Sequence, residues 1–94
     1  MDLEWDEAKR LANIEKHAID FYRAKEIWNG FVLEVPSPQG EHGEARSIAL
    51  GTLEGRIIAV VFTWRRRTRR IISARRARKL EEAIYKNALG RGSR

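Results

Sequence analysis

Nine Lys or Arg side chains, with no acidic residue among them, lie in one short stretch of the chain, residues 65–79 (RRRTRRIISARRARK). Residues 1–64 carry seven basic and eleven acidic side chains, and residues 80–94 carry three and two, so the excess positive charge is local. Two like charges about 4 Å apart repel by roughly 1 kcal/mol even in water. A field this dense attracts polyanions. The sequence therefore predicts a counter-surface that is either a phosphate backbone or an acidic protein partner.

Other kinds of reactive site find little support in the sequence. The chain has no cysteine, which excludes disulfides, thiolate nucleophiles and Cys-based metal sites. Its two histidines, His17 and His42, are far apart in sequence, so we predict no metal site. The sequence has no Gly-rich phosphate loop, serine nucleophile elbow or paired-carboxylate motif, and we infer no cofactor.

The 94 residues are enough for one domain with one modest core, which we place at residues 1–90, followed by a flexible tail at 91–94. The acidic N-terminus does not resemble a signal peptide, and no apolar run approaches the roughly 18 residues of a membrane span. We expect no role at a membrane. Because the absence of cysteine gives no sign of an oxidising compartment, the expected location is the cytoplasm.

Two short helices are predicted after a short opening strand at Leu3 to Trp5. Asp6 is a suitable N-cap for a helix from about Glu7 to His17. Asp20 can cap a second helix, which Gly30 ends. The apolar stripes of the two helices are Ala8, Leu11, Ile14 and Ala18 in the first, and Phe21, Ala24, Ile27 and Trp28 in the second.

From Phe31 the apolar residues alternate with a period of two, which predicts β-strands. The predicted strands are Phe31 to Val35, Ala45 to Leu50, Arg56 to Trp64 and Arg69 to Ala74, with a loop at Pro36 to Gly43. Residues 54–55 mark a tight hairpin turn, and the third of these strands, apolar on both faces, is expected at the centre of the sheet. If the last strand persists through Arg75, simple alternation puts Arg75 on the face of Arg69 and opposite Arg70.

The final helix is predicted from about Arg76 to Leu89, with Gly90 as its end. Its apolar stripe is Ala77, Leu80, Ile84 and Ala88. The predicted element order is β-α-α-β-β-β-α, which describes an α+β domain with helices packed on an antiparallel sheet.

Two separated segments of the sequence resemble the signature blocks of a known family. The opening EWDEAKRLANIEKHAIDFYRAKEIW and the later RRIISARRARKLEEAIY are similar in residue type, spacing and order to those of BrnT-type toxins. GEARSIALG and the apolar strand after it fit the family's middle section, so the resemblance covers about Asp2 to Tyr85. It implies a RelE-like fold and a ribonuclease that is the toxin of a bacterial type II toxin–antitoxin pair.

The sequence departs from the family's pattern at three places. Ala18 stands where glycine usually follows Lys-His, residues 30–31 (Gly-Phe) replace an Asp-Pro pair, and residues 44–46 (Glu-Ala-Arg) replace a Glu-Arg pair. Because glycine adopts left-handed backbone more easily than alanine, that conformation is expected to be less available at Ala18. The arginine blocks are intact.

Cleaving RNA without a metal ion requires the 2′-hydroxyl to lose a proton, the pentacoordinate phosphate to be stabilised and the leaving oxygen to be protonated. Guanidinium suits the middle task because its planar fork matches two phosphate oxygens. The catalytic candidates for this task are Arg65, Arg67, Arg70 and Arg75, and the RNA-binding candidates are Lys16, His17, Arg46 and Arg76. The alternative is that most of these arginines form a solvated surface or an antitoxin docking face.

Glu81 and Tyr85 are the remaining catalytic candidates. They lie four residues apart on the last helix, hence on one face, and both match the family's second block. They would bring a carboxylate and a phenol toward one phosphate, or else form a helix-surface pair whose tyrosine ring covers the sheet edge. A capping role is the alternative for His17. Trp5 either stacks on a base or, as we favour, packs in the core.

The residues and the resemblance together lead to one functional hypothesis. The chain is expected to be a metal-independent endoribonuclease toxin that cleaves RNA and inhibits translation. The resemblance implies a cognate DNA-binding antitoxin, BrnA-like, that neutralises the toxin and forms a complex repressing its own operator. Operator DNA would then be bound only through the antitoxin. The alternative is a non-catalytic basic module that binds nucleic acid or an acidic protein, because such a module needs only the positive field.

Overall fold

The computed structural model describes residues 2–37 and 45–92, so most of the predicted loop at 36–43, and Glu44, lie outside the described residues. The strands are β1 Leu3–Trp5, β2 Leu33–Pro36, β3 Arg46–Leu53, β4 Arg56–Arg65 and β5 Thr68–Arg76. The helices are α1 Glu7–His17, α2 Phe21–Ala24 with a 3₁₀ helix at Lys25–Asn29, and α3 Lys79–Gly92. The strands form one sheet in the order β1-β5-β4-β3-β2.

The predicted α+β class is confirmed, with α1 and α2 packed on one face of the sheet and α3 on the other. The sheet is mixed rather than purely antiparallel, because β1 runs parallel to β5 while every other neighbouring pair is antiparallel. Four strands lie between the second and third α-helices, one for each of the four named from the sequence, so the predicted element order was one strand short. The strand predicted to be central, β4, is the third in the sheet order.

The first two helices begin at the predicted caps. The carboxylates of Asp6 and Asp20 each accept a hydrogen bond of 3.0 Å from the amide two residues further on. Helix α1 ends at Ala18, whose amide donates to the Ile14 carbonyl oxygen and whose φ of 59° is left-handed. The sequence analysis expected this conformation to be less available without glycine. Ala18 adopts it nonetheless, at a cost of about 1 kcal/mol.

The main core lies between the sheet and the segment formed by α2 and the 3₁₀ helix. Its buried residues include Phe21, Ala24, Ile27, Ile58, Val60, Phe62, Ile71 and Ala74. Trp5 packs against this cluster, with its ring edge-on to that of Phe21 at a centroid distance of 5.9 Å, as the core interpretation predicts. A Cβ atom on Gly51 would lie 2.6 Å from the Cβ of Ile27, so the 3₁₀ helix packs on bare backbone of β3.

The buried residue of helix α1 is polar and does not belong to the apolar stripe that was predicted to face the core. Leu11 is 54% exposed, whereas Asn13 is buried. The Asn13 amide donates to the carbonyl oxygens of Ile19 at 2.8 Å and Ala74 at 2.9 Å, and its oxygen accepts from the Ala74 amide at 3.1 Å. Strand β1 pairs with β5 only as far as Ile71. Asn13 therefore replaces a strand partner for Ala74.

Helix α3 differs from its predicted bounds and face. It begins at Lys79 because β5 continues to Arg76, and it runs through Gly90 to Gly92. Leu80, on the predicted stripe, is 75% exposed, whereas Tyr85 is buried. Residues 91–92 of the predicted tail belong to the helix, and residues 93–94 lie outside the described part of the chain.

A β-bulge in β5 decides which arginines share a face of the sheet. The pairing register shifts between Val61 and Phe62, which leaves Ile72 without a partner on β4. Because directly paired residues point to the same side of a sheet, the shift moves Arg75 onto the face of Arg70. Simple alternation, which separates these two arginines, is therefore wrong beyond the bulge.

Candidate functional site

A polar cleft lies on the same face of the sheet as α3. Its volume is about 190 Å³, and its walls include Arg46 from β3, Ser73 and Arg75 from β5, and Arg78 from the connection before α3. The cleft thus brings together three guanidinium groups from three parts of the chain, beside a hydroxyl group.

Arg75 is fixed in this cleft by Glu81 of α3. Its Nη1 and Nη2 atoms donate to the Glu81 carboxylate at 2.7 and 2.9 Å, and the amide of Arg78 donates to the same carboxylate at 2.8 Å. The side chains of the pair are only 17% and 14% exposed. The hydrogen bonds from Arg75 hold the pKa of Glu81 below its ordinary value. Glu81 is therefore an ionised acceptor that orients Arg75.

Arg46 and Arg70 flank one residue of the central strand. Thr63 pairs with Arg46 on β3 and with Arg70 on β5, so the two arginine Cα atoms lie two strand spacings, about 10 Å, apart. Arg70 donates to Glu4 at 2.7 Å. The Nε of Arg46 is buried and has no hydrogen-bond partner among the described residues. An unsatisfied buried donor costs about 1–3 kcal/mol, so an acceptor that reached this atom would stabilise the protein.

A shallow groove extends from the cleft across the edge of β5. It shares Ile72 and Ser73 with the cleft and is also lined by Lys16 and His17, at the C-terminal end of α1. Because β1 ends at Trp5, it does not cover this part of β5. The structure thus places both predicted residues of α1 beside the arginine cleft.

Arg76 lies on the other face of the sheet. It lines a separate cleft of about 520 Å³, together with His17 and Arg56. Because successive residues of a strand point to opposite faces, the sheet separates Arg76 from its neighbour Arg75. The structure therefore places one predicted RNA-binding residue away from the other arginines.

Arg65 and Arg67 lie at the turn between β4 and β5, and both are exposed. Neither forms an ion pair with another residue of the described part of the chain. Along β4, Arg65 alternates onto the same face as Thr63, which is the face of the cleft. The turn thus adds uncompensated positive charge to the sheet end at which Arg46 and Arg70 lie.

Tyr85 lies in an apolar cluster with Leu50 and Ala59 and is only 3% exposed. Its hydroxyl donates to the carbonyl oxygen of Phe31 at 3.0 Å and lies 3.2 Å from the Thr52 hydroxyl. The phenol is therefore satisfied within the fold. The sequence analysis offered a helix-surface pair whose tyrosine ring covers the sheet edge, whereas the ring is buried on the inner strands β3 and β4.

Two residues of this region were missed by sequence reasoning. Asn13 holds the backbone of the residue just before Arg75, and the amide of Arg78 binds Glu81. The sequence could have indicated a role for Asn13, since a polar residue among the apolar positions of a helix needs a hydrogen-bond partner when it is buried. The sequence could not have indicated the role of the Arg78 amide, because every residue except proline supplies a backbone N–H group.

The described residues contain no group of three His, Asp or Glu side chains that could hold a metal ion. Within the same residues, no helix is long and apolar enough to cross a membrane.

Comparisons with known proteins place this geometry in context. The family model described as the ribonuclease toxin, BrnT, of type II toxin–antitoxin systems matches residues 5–81. Among solved structures, the chain is similar to the 1.1 Å crystal structure of the Brucella abortus ribonuclease toxin, BrnT, with 32% sequence identity and a TM-score of 0.60. That match covers 84% of this chain and 99% of the Brucella chain. The search of curated proteins gave no match.

Proposed function

Because this chain belongs to the BrnT family of ribonuclease toxins of type II toxin–antitoxin systems, we propose that it cleaves RNA in the cleft lined by Arg46, Arg75 and Arg78. The observation that carries this proposal is the Nε of Arg46, a buried cationic donor without an acceptor among the described residues. A phosphate oxygen is the acceptor that suits a guanidinium group best.

The arginines act on the phosphate and not on protons, because guanidinium stays charged throughout the accessible pH range. Arg46 and Arg75 bind the non-bridging oxygens and stabilise the charge that develops when the 2′-oxygen attacks phosphorus. This attack forms a 2′,3′-cyclic phosphate and breaks the bond to the 5′-oxygen of the next nucleotide, which takes a proton from water. Arg70, held by Glu4, supports the same face. The exposed Arg65 and Arg67 bind neighbouring phosphates and raise affinity.

Glu81 is proposed as a positioning residue, since both of its carboxylate oxygens already accept hydrogen bonds. His17 is proposed to exchange a proton with the 2′-hydroxyl, because imidazole is the side chain that most often serves as acid or base in catalysis. Its place in the groove that shares Ser73 with the cleft supports this role. Tyr85, with its hydroxyl bonded inside the fold, is given a structural role.

Metal independence is part of the proposal. The three arginines supply the charge stabilisation for which many nucleases use a metal ion. Single-stranded RNA is therefore expected to be cleaved in excess EDTA at an undiminished rate. Loss of cleavage in EDTA, restored by added Mg²⁺, would remove this part of the proposal.

The substitution that tests the cleft is Arg46→Ala. It is expected to lower the cleavage rate by about 100-fold or more, the usual effect of losing one donor to a transition-state oxyanion. Arg91→Ala is the matched control, because it removes the same charge from an exposed arginine in the last turn of α3. Equal rates in the two variants would contradict the cleft assignment. Tight RNA binding without cleavage by the unmodified protein would favour the basic binding module instead.

The biological role is proposed on the same basis. In the cytoplasm the protein cleaves RNA and inhibits translation. A cognate, BrnA-like, DNA-binding antitoxin stops this by covering the cleft of Arg46, Arg75 and Arg78. The two proteins then repress their own operator, which the antitoxin binds. Expression of the chain alone is expected to arrest growth, and either Arg46→Ala or co-expression of the antitoxin is expected to relieve the arrest. Growth that is unaffected by the unmodified chain would contradict this role.

A further inference from the structure

A large aromatic side chain is exposed at the end of the sheet where Arg65, Arg66 and Arg67, here called the arginine turn, connect β4 to β5. Trp64, near the end of β4, is 48% exposed. The guanidinium carbon of Arg69 lies 4.4 Å from the ring centroid of Trp64, and the ring of Phe62 meets the indole edge-on at 5.9 Å. One face of the indole is thus covered by a cation, while nearly half of the side chain remains open to solvent.

The cation below the indole is held in place by its own contacts. Arg69 donates to Glu34 at 2.8 Å, and Trp28 donates to the same carboxylate oxygen at 3.2 Å. The guanidinium carbon also lies 5.0 Å from the ring centroid of Trp28 and 5.3 Å from that of Phe62. A ring supported in this way loses little further freedom when a second flat group stacks on it.

The positive charges beside the exposed indole indicate the kind of ligand that can stack on it. Arg65, Arg66 and Arg67 follow Trp64 directly in the chain, all three are exposed, and none is paired with an acidic group of the described residues. An apolar protein surface stacked on Trp64 would have to bury these charges, which is costly. An acidic protein segment would pair with the arginines but would leave the exposed indole without a flat partner. Single-stranded nucleic acid instead offers bases that stack on aromatic rings and phosphates that bind arginine.

We propose that Trp64 is a stacking platform for a base of the RNA substrate, with the phosphates beside that base bound by the arginine turn. The inference rests on the proposed ribonuclease function, since it assigns a substrate subsite. Trp64 directly follows Thr63, which lies between Arg46 and Arg70. Trp64 therefore lies at the same end of the sheet as Arg46, on the opposite face from the cleft, so an RNA strand that reaches both must pass around the end of the hairpin.

The test measures binding without cleavage. A single-stranded RNA with 2′-O-methyl riboses, which lacks the attacking hydroxyl, and the same oligomer with abasic positions are titrated against the full chain by fluorescence anisotropy. Trp64→Leu is expected to weaken binding of the base-containing RNA by about tenfold, within the range for one lost base–aromatic stack. Trp64→Phe keeps a ring and is expected to bind within about threefold of the unmodified chain. Tyr22→Leu, which removes another exposed aromatic side chain, is the control and is expected to bind unchanged.

The decisive comparison uses the abasic RNA. If the leucine variant loses affinity because a base no longer stacks, it should bind the abasic RNA as well as the unmodified chain does. An equal loss on both oligomers, no loss on either, or a loss confined to antitoxin binding would overturn the proposal. RNA cleavage is measured separately, so absence of cleavage together with the expected binding pattern would remove the ribonuclease proposal and leave the platform.

Discussion

Replacing Glu81 by glutamine removes the carboxylate that holds Arg75 through hydrogen bonds of 2.7 and 2.9 Å. Exposed ion pairs contribute about 0–1 kcal/mol, whereas breaking a buried pair costs about 3–5 kcal/mol. With side chains that are 17% and 14% exposed, this pair lies nearer the buried limit. Glutamine keeps one oxygen for the Arg78 amide and for one bond from Arg75. We therefore expect Glu81→Gln to lower the free energy of unfolding by about 2 kcal/mol, or Tm by about 8–16 °C.

The same pair predicts a pH dependence with a definite sign. The hydrogen bonds from Arg75 lower the pKa of Glu81 in the folded state, so the folded protein binds this proton less readily than the unfolded chain does. The stabilisation is then fully present above the ordinary glutamate pKa of about 4.3 and is lost as the pH falls through the lowered pKa of the folded state. The difference between the unmodified chain and Glu81→Gln should shrink toward zero in strong acid.

Urea unfolding, followed by circular dichroism at pH 7 and again at about pH 2–3, measures both effects. Glu82→Gln, with the same change of charge in the first turn of α3, is the matched control and should lose less than about 0.5 kcal/mol. Equal losses in the two variants, or a Glu81→Gln loss that does not depend on pH, would refute the reasoning. RNA cleavage by Glu81→Gln should be slower with an unchanged pH–rate profile, because the residue orients Arg75 and exchanges no proton.

Three further substitutions test how the fold positions the site, each by urea unfolding. Ala18→Gly should stabilise the protein by about 0.5–1 kcal/mol, because φ at this position is 59°; a loss of stability would contradict the strain at this cap. Gly51→Ala should destabilise by about 1–3 kcal/mol, since its Cβ would lie 2.6 Å from that of Ile27; an unchanged midpoint would show that the 3₁₀ helix moves freely. Asn13→Ala should cost about 2–3 kcal/mol by leaving both backbone groups of Ala74 unpaired at that edge of β5; a loss below about 0.5 kcal/mol would show that water replaces the amide.

The features predicted correctly from the sequence are those determined by residues close together in the chain. The caps at Asp6 and Asp20 were predicted because a cap needs only the side chain and an amide two residues away. The central strand β4 was predicted because it is apolar on both faces. The predicted buried face of α3 was wrong, because Tyr85 is buried by Leu50 and Ala59, which belong to a hairpin distant in the sequence. Helical spacing alone does not specify which stripe a sheet will cover.

The arrangement of the candidate site depends on pairing that sequence alternation cannot show. A shift of one residue reverses the face of every following side chain in a strand, so the bulge at Ile72 decides that Arg75 joins Arg46 and Arg70. A bulge is specified by the fit between two strands, and neither strand carries a glycine or proline that would mark it.

The register beyond the bulge is stabilised by α1, because Asn13 binds the amide and carbonyl of Ala74 where β1 no longer reaches. One turn further along, the same helix carries His17 into the groove that shares Ser73 with the arginine cleft. The contact that stabilises the register before Arg75 and the proposed proton-transfer group therefore belong to one helix. A displacement of α1 would move His17 and would break the hydrogen bonds between Asn13 and Ala74. Because a buried amide without its hydrogen bonds is costly, Asn13 opposes such a displacement.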